Sequence, residues 1–181
     1  LMRSMALVEQ APQPLPNERV LSLLKVLRDD LRQVIDQGSS AGAQVPETPV
    51  QWAAPLRHRF TRIFDEMGVT SKWDMPQQWQ GRPSALQCLG LTRLVEEALS
   101  NTIKHSRARH VHVQCTQPQP EVLCLRIEDD GVGFDVQAVK NAGVSVGMRS
   151  MAARAVRMGG TLEVTSGGTG TAVSLTLLLK R

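Results

Sequence analysis

The sequence predicts a two-layer α/β sandwich: helices gathered on one face of a mixed, mainly antiparallel sheet, preceded by a helical segment set apart by a linker. Three observations predict it. Val111, Val113 and Cys115 alternate with polar neighbours, as do Leu123, Leu125 and Ile127, and alternation of period two is the mark of a half-buried strand. Leu56, Phe60, Ile63 and Phe64 recur at helical spacing, as do Leu94, Val95, Ala98 and Thr102. Between residues 37 and 50, small and polar residues and Pro46 and Pro49 interrupt every periodicity.

Composition narrows the class before any motif is read. The 181 residues are 41% apolar, ample for one core. A net charge of +4 is scattered, aromatics are 3% and Tyr is absent, so a nucleic-acid partner is not expected. Cys88, Cys115 and Cys124 are odd in number and lack CxxC spacing, which argues against a disulfide framework or zinc site and for a reducing, cytoplasmic compartment. No apolar run approaches the roughly 20 residues of a membrane span, so membrane attachment is expected only through segments outside this sequence.

Taken in order, Leu1, Met5 and Val8 read as the end of an amphipathic helix, broken by Pro12, Pro14 and Pro16. Val20, Leu24, Leu27, Leu31 and Val34 then form a heptad-like seam suited to a helical hairpin. This gives a helical segment over 1–36, a linker over 37–50 and a main domain over 51–181. Within that domain the expected elements are a helix ending near Gly68, a short strand over 69–75, a loop over 76–83 with Trp79 as a packing residue, and a long helix over 84–106. The two alternating strands follow, joined by a turn over 117–120; then come a loop over 135–146, a helix over 147–158, and strands over 161–165 and 171–179.

On the long helix, Glu97, Asn101 and Lys104 fall at i, i+4 and i+7 and present an acid, an amide and an amine on one side. Such a face suits a metal-bound polyphosphate, although acids and bases at this spacing also simply stabilise helices. Asn101 is a poor helix former in an otherwise well-patterned helix and asks for a reason. Asp129-Asp130-Gly131-Val132-Gly133-Phe134 follows a strand; its glycines permit close backbone approach and its carboxylate can accept from an exocyclic amine, but Asp and Gly are equally the residues of ordinary turns. Gly147 opens a helix after a flexible stretch, where free N–H groups attract phosphate. His105, His110 and His112 read as surface or packing residues. Neither a Walker A sequence nor GxGxxG is present, so a nucleotide would be bound by another fold.

The order of these elements, Glu97-Ala98-Leu99-Ser100-Asn101, then Asp129-x-Gly-x-Gly, then Gly147-Met148 and finally Gly170-Thr171, resembles the N, G1, G2 and Gly-Thr boxes of the Bergerat-type (GHKL) ATPase domain. That superfamily includes gyrase, Hsp90, MutL and the sensor histidine kinases. The Glu-Ala-Leu-x-Asn form and the run Gly147, Met151, Arg154, Ala155 look most like bacterial sensor kinases of the NarX/DesK type, over about 84–179.

The resemblance implies ATP and Mg²⁺ as cofactors and transfer of the γ-phosphoryl group to a histidine, for relay to a response regulator. Asp129 would accept the adenine amine, with Gly131 and Gly133 letting the base approach. Asn101 would ligate Mg²⁺, with Glu97 orienting water or metal. Lys104 and His105 would face the phosphates, Gly147 and Met148 would flank the nucleotide, residues 135–146 would form a lid, and Thr171 would line the pocket. Residues 1–36 would be part of the dimerisation and phosphotransfer hairpin, making the intact protein a homodimer. Three departures stand out: Ser145 and Val146 precede Gly147 where a glycine pattern is usual, Ala153 stands where Glu is frequent, and His58 lies in Leu56-Arg57-His58-Arg59-Phe60, with no acceptor box around it. The acceptor is therefore expected upstream of Leu1, and the chain by itself is not expected to phosphorylate itself. The alternatives are an anti-sigma-factor serine kinase of the same superfamily and a degenerate module that dimerises without turnover.

Overall fold

The computed structural model describes residues 45–133 and 146–179, the side chains of 146–148 excepted. The expected hairpin over 1–36, most of the linker and nearly all of the lid lie outside the described residues. Helix α1 spans Pro49–Glu66, two residues inside the expected linker. Thr48 caps it: its hydroxyl accepts from the Gln51 N–H at 3.0 Å, and Pro49 stands at a first-turn position where a missing N–H loses nothing. Gly68, at φ +72, terminates it in the left-handed conformation expected of a residue just past a helix end.

Strand β1 (Thr70–Asp74) follows, then helix α2 (Ala85–Asn101). Ser84 and Gln87 close a reciprocal capping box at its start, each side chain satisfying the other's backbone N–H. The helix does not run regularly to Ser106 as the apolar period suggests: Thr102–Ser106 is a π-helical turn, ended by Arg107 at φ +52. Strand β2 (His110–Gln119) is longer than expected and β3 (Val122–Asp129) pairs with it. The expected turn over 117–120 shrinks because Pro118, which lacks a ladder donor, sits where the register shifts between Thr116 and Gln119. Helix α3 (Val146–Met158) and strands β4 (Gly160–Gly167) and β5 (Gly170–Leu178) complete the domain.

The five strands lie in the order β1-β2-β3-β5-β4, with β1 parallel to β2 and every other pair antiparallel. Alternation decides which side packs. Val111, Val113, Leu123, Leu125, Ile127, Val173, Leu175 and Leu177 are buried together with Trp52, Leu56, Phe60 and Phe64 of α1, Leu94, Val95 and Leu99 of α2, and Met151 and Ala155 of α3. The opposite side carries Lys72, Asp74, His112, Arg126 and Glu128, with His112 Nε2 2.6 Å from Asp74 Oδ2 and Arg126 Nε 2.7 Å from Glu128 Oε1. The helices thus cover one face and leave a polar one to solvent.

Two polar contacts tie the loop before α2 to the sheet. Gln117, buried on β2, donates to the Gly81 carbonyl and accepts from the Gln80 N–H, each at 2.8 Å. Trp79, expected as a packing residue, is partly buried against the core and donates its indole N–H to the Pro46 carbonyl at 2.9 Å. Among the described residues no helix is long and apolar enough to cross a membrane.

Candidate functional site

Three pieces of chain converge at one end of the sheet: the end of α2 with its π turn, the loop after β3, and the β4–β5 hairpin. Asp129 is the last residue of β3 and pairs in register with Thr171 of β5, which in turn pairs with Ser166 of β4. In strict alternation, Asp129 shares the helix-covered side with Leu125 and Ile127. Thr171 and Ser166 hydroxyls are 2.7 Å apart, so the row Asp129, Thr171, Ser166 is a polar shelf at the edge of the core.

The Asp129 carboxylate is held on both oxygens. Oδ1 accepts from the Gly131 N–H at 2.9 Å, an Asx-type turn, and Oδ2 lies 3.1 Å from the Thr102 hydroxyl of the π turn. The backbones are equally close. A Cβ on Gly131 would stand 2.1 Å from the Ser106 carbonyl oxygen, and Val132 N–H donates to that same oxygen at 2.7 Å. Gly133 (φ +66) has the Gly167 oxygen 1.9 Å from its would-be Cβ, and Gly170 (φ +128) has the Asp129 oxygen at 1.9 Å. The glycines expected to admit a base therefore also let three backbones pack against one another, a requirement that the sequence alone does not reveal.

Asp130, whose role sequence pattern does not show, anchors the loop to β2. Its Oδ1 accepts from the N–H groups of Arg109 and His110, both at 2.8 Å, and its Oδ2 lies 2.7 Å from His110 Nδ1. The His110 backbone bond is the main reason its carboxyl is held down to about 2; the imidazole and the Arg109 N–H act the same way, against a smaller opposing effect of burial. His110 and His112 are thus occupied by Asp130 and Asp74, in keeping with a structural use, and the described residues hold no cluster of His, Cys, Asp and Glu able to bind a metal by itself.

The other expected residues are placed differently. Glu97 and Asn101 are half-buried one turn apart on α2, while Lys104 and His105 are exposed on the π turn. Among the described residues none of these four side chains makes a hydrogen bond or ion pair. The neighbouring acid behaves otherwise: Glu96 bonds Arg59 at 2.9 Å, whereas Glu97 has no such partner among the described residues. Because the π turn is wider than an α turn, Lys104 is displaced from the i, i+4, i+7 line that a regular helix would give. As basic residues at a helix end, Lys104 and His105 also suit the C-terminal partial charge. Gly147 and Met148 lie in the first turn of α3; the Met148 side chain, Phe134 and residues 135–145 of the expected lid lie outside the described residues.

Comparison with known proteins agrees with this fold. The stretch is 38% identical over 76 residues to the sensor protein VraS of Staphylococcus haemolyticus, covering 42% of this chain and 21% of that protein. It is 37% identical over 83 residues to the sensor histidine kinase ComP of Bacillus subtilis, covering 45% of this chain and 11% of that one. The matched region is thus a small part of either relative. Among solved structures, the histidine kinase domain of the Erythrobacter litoralis EL346 blue-light activated histidine kinase superposes with a TM-score of 0.63 at 23% identity, covering 83% of this chain and 72% of that one, a likeness of fold. The family model described as histidine kinase-, DNA gyrase B-, and HSP90-like ATPase matches residues 88–181, slightly more than half of the sequence, and the chain belongs to that ATPase family.

Proposed function

We propose that this chain is the ATP-binding catalytic domain of a two-component sensor histidine kinase, handing the ATP γ-phosphoryl group to a histidine on a separate helical segment for relay to a response regulator. The observation that carries the reading is the Asp129 carboxylate, pinned on both oxygens beside Thr171 and joined through Thr102 to the helix that bears Asn101. The pinned carboxylate offers its remaining lone pairs to an exocyclic amine. Asn101 and Glu97 supply oxygen ligands one turn apart with no competing partner among the described residues, and Lys104 and His105 add cationic or donor groups for the phosphates.

Mg²⁺ fits this set without a dedicated cage, because that ion keeps several waters and takes few protein ligands beside substrate phosphates. When bound it would neutralise charge between the β- and γ-phosphates. The residues of this chain then have only to position and screen, since an imidazole acceptor is already a nucleophile. The homodimer would form through the hairpin expected over 1–36, and any membrane attachment would lie in other segments. The named relatives, all sensors or sensor kinases, favour this reading over a serine kinase or an inert module.

Calorimetric titration with Mg·ATP tests binding, and incubation with labelled ATP and a supplied acceptor hairpin tests transfer. Saturable, Mg-dependent heat and acid-labile phosphate on the hairpin are expected. Binding without transfer would favour the inert module, whereas transfer to serine would favour the serine kinase.

A further inference from the structure

Thr102 joins the helix carrying Asn101 to the carboxylate of Asp129. Its position on the apolar stripe of α2 gives it the look of a packing residue, and it is 7% exposed. Its hydroxyl, however, faces two acceptors: Asp129 Oδ2 at 3.1 Å and the Ala98 carbonyl at 3.2 Å. One hydroxyl proton serves one of them well. Bonding back to the i−4 carbonyl is a common habit of helical threonines, but here it would turn the oxygen's lone pairs towards a carboxylate. The charge-assisted bond to Asp129 therefore prevails. The Thr102 backbone is fixed as well, because its carbonyl accepts from the Ser106 hydroxyl at 2.9 Å, and Ser106 in turn carries Val132 and Gly131.

With Thr102 on Oδ2 and the Gly131 N–H on Oδ1, Asp129 meets a donor on each oxygen and can only accept at the lone pairs that remain. A base bearing an exocyclic amine satisfies such a group; a base with a carbonyl or a bare carbon at that position leaves it unpaired. We propose that Thr102 is a specificity-determining positioning residue, whose hydroxyl aims the Asp129 carboxylate so that the site selects purine nucleotides carrying a 6-amino group. The proposal rests on the nucleotide reading above. It also implies that base recognition and the phosphate-facing turn share one hinge point, since Thr102 directly follows Asn101.

The test measures calorimetric affinities of the 181-residue chain for ATP and for purine riboside triphosphate, which lacks the 6-amino group. Wild type, Thr102→Val and Thr102→Ser are compared, with melting temperatures recorded alongside. Wild type should favour ATP by about tenfold, the scale of one hydrogen bond to a charged group. Thr102→Val should bring the two affinities within about twofold of each other, and Thr102→Ser should keep the wild-type preference. If Thr102→Val does not fold, Thr102→Ala takes its place. A hydroxyl-less variant that weakens both ligands equally, leaving the preference intact, would show that Thr102 only supports the fold and would overturn the proposal while the adenine site stands. A wild type that does not distinguish the two ligands would overturn the adenine reading and this proposal together.

Discussion

The two walls of the site are built on opposite plans. On the proposed base side, Asp129, Thr102, Gly131, Ser106 and Asp130 take part in hydrogen bonds and close backbone contacts within the protein. On the proposed phosphate side, Glu97, Asn101, Lys104 and His105 make no side-chain bond to another described residue. Rigid donors and acceptors are what distinguish one base from another, because a mispaired buried polar group cannot relax. Charge neutralisation of a polyphosphate needs proximity more than angle, so flexible side chains suffice there. On the proposed reading, selectivity and charge compensation fall to different side chains interleaved along 97–106, and residues 129–131 complete the base side.

Variants can break this contrast from either side. The largest effect is expected from Gly170→Ala, which combines a φ of +128 with a Cβ 1.9 Å from the Asp129 oxygen. Strain and overpacking together should destabilise the domain by about 3–5 kcal/mol in urea unfolding, and ATP binding should disappear with the fold. Next comes Asp129→Ala. It leaves the Gly131 N–H without its acceptor and the Thr102 hydroxyl with only the Ala98 carbonyl, and should weaken ATP binding by about 10- to 100-fold in calorimetry, with a loss of stability of about 1–2 kcal/mol.

On the proposed phosphate wall, Lys104→Ala should weaken ATP about three- to tenfold while leaving the melting temperature nearly unchanged, because the side chain is exposed and has no partner among the described residues. A large drop in melting temperature there would show that this wall is structural after all. The smallest effect concerns acid. The Asp130 carboxyl titrates at about 2 in the fold against 3.8 unperturbed, so the unfolded chain binds its proton first as pH falls. Its contribution should be complete above about pH 4 and vanish as pH approaches 2, modestly, since the pair is largely solvated. Unfolding curves of wild type and Asp130→Ala should therefore converge with falling pH; a constant gap between them would contradict the assignment.

Much of the fold is legible in the sequence because it is written in period. The inward rows Val111, Val113 and Leu123, Leu125, Ile127, and the helical stripes of α1 and α2, carry the core wherever one face is buried. What escapes is local chemistry that periodicity does not encode. A stripe that continues smoothly through Thr102 hides the change from α to π geometry, because the same residue serves packing and hydrogen bonding. Pro118 suggests a turn, but a register shift accommodates it inside a strand. In the site, residue types announce Asp129 and Asn101, whereas Asp130, Ser106 and Thr102 act through partners distant in sequence. Adjacent Glu96 and Glu97 look alike until Arg59 pairs with only one of them.

The π turn at Thr102–Ser106 has one more implication, concerning chain length. A π turn inside a helix holds one residue more than the α turn it replaces, so this segment tolerates no silent deletion. Removing a single residue between 102 and 106 would let the helix relax to regular geometry, which is locally the better hydrogen-bonded state. The same shortening would draw the Ser106 carbonyl away from Gly131 and Val132 and uncouple the helix from the loop that follows β3. In this region spacing is therefore as strict a constraint as residue identity: a shorter segment would have to hold the proposed base-binding loop on a different support.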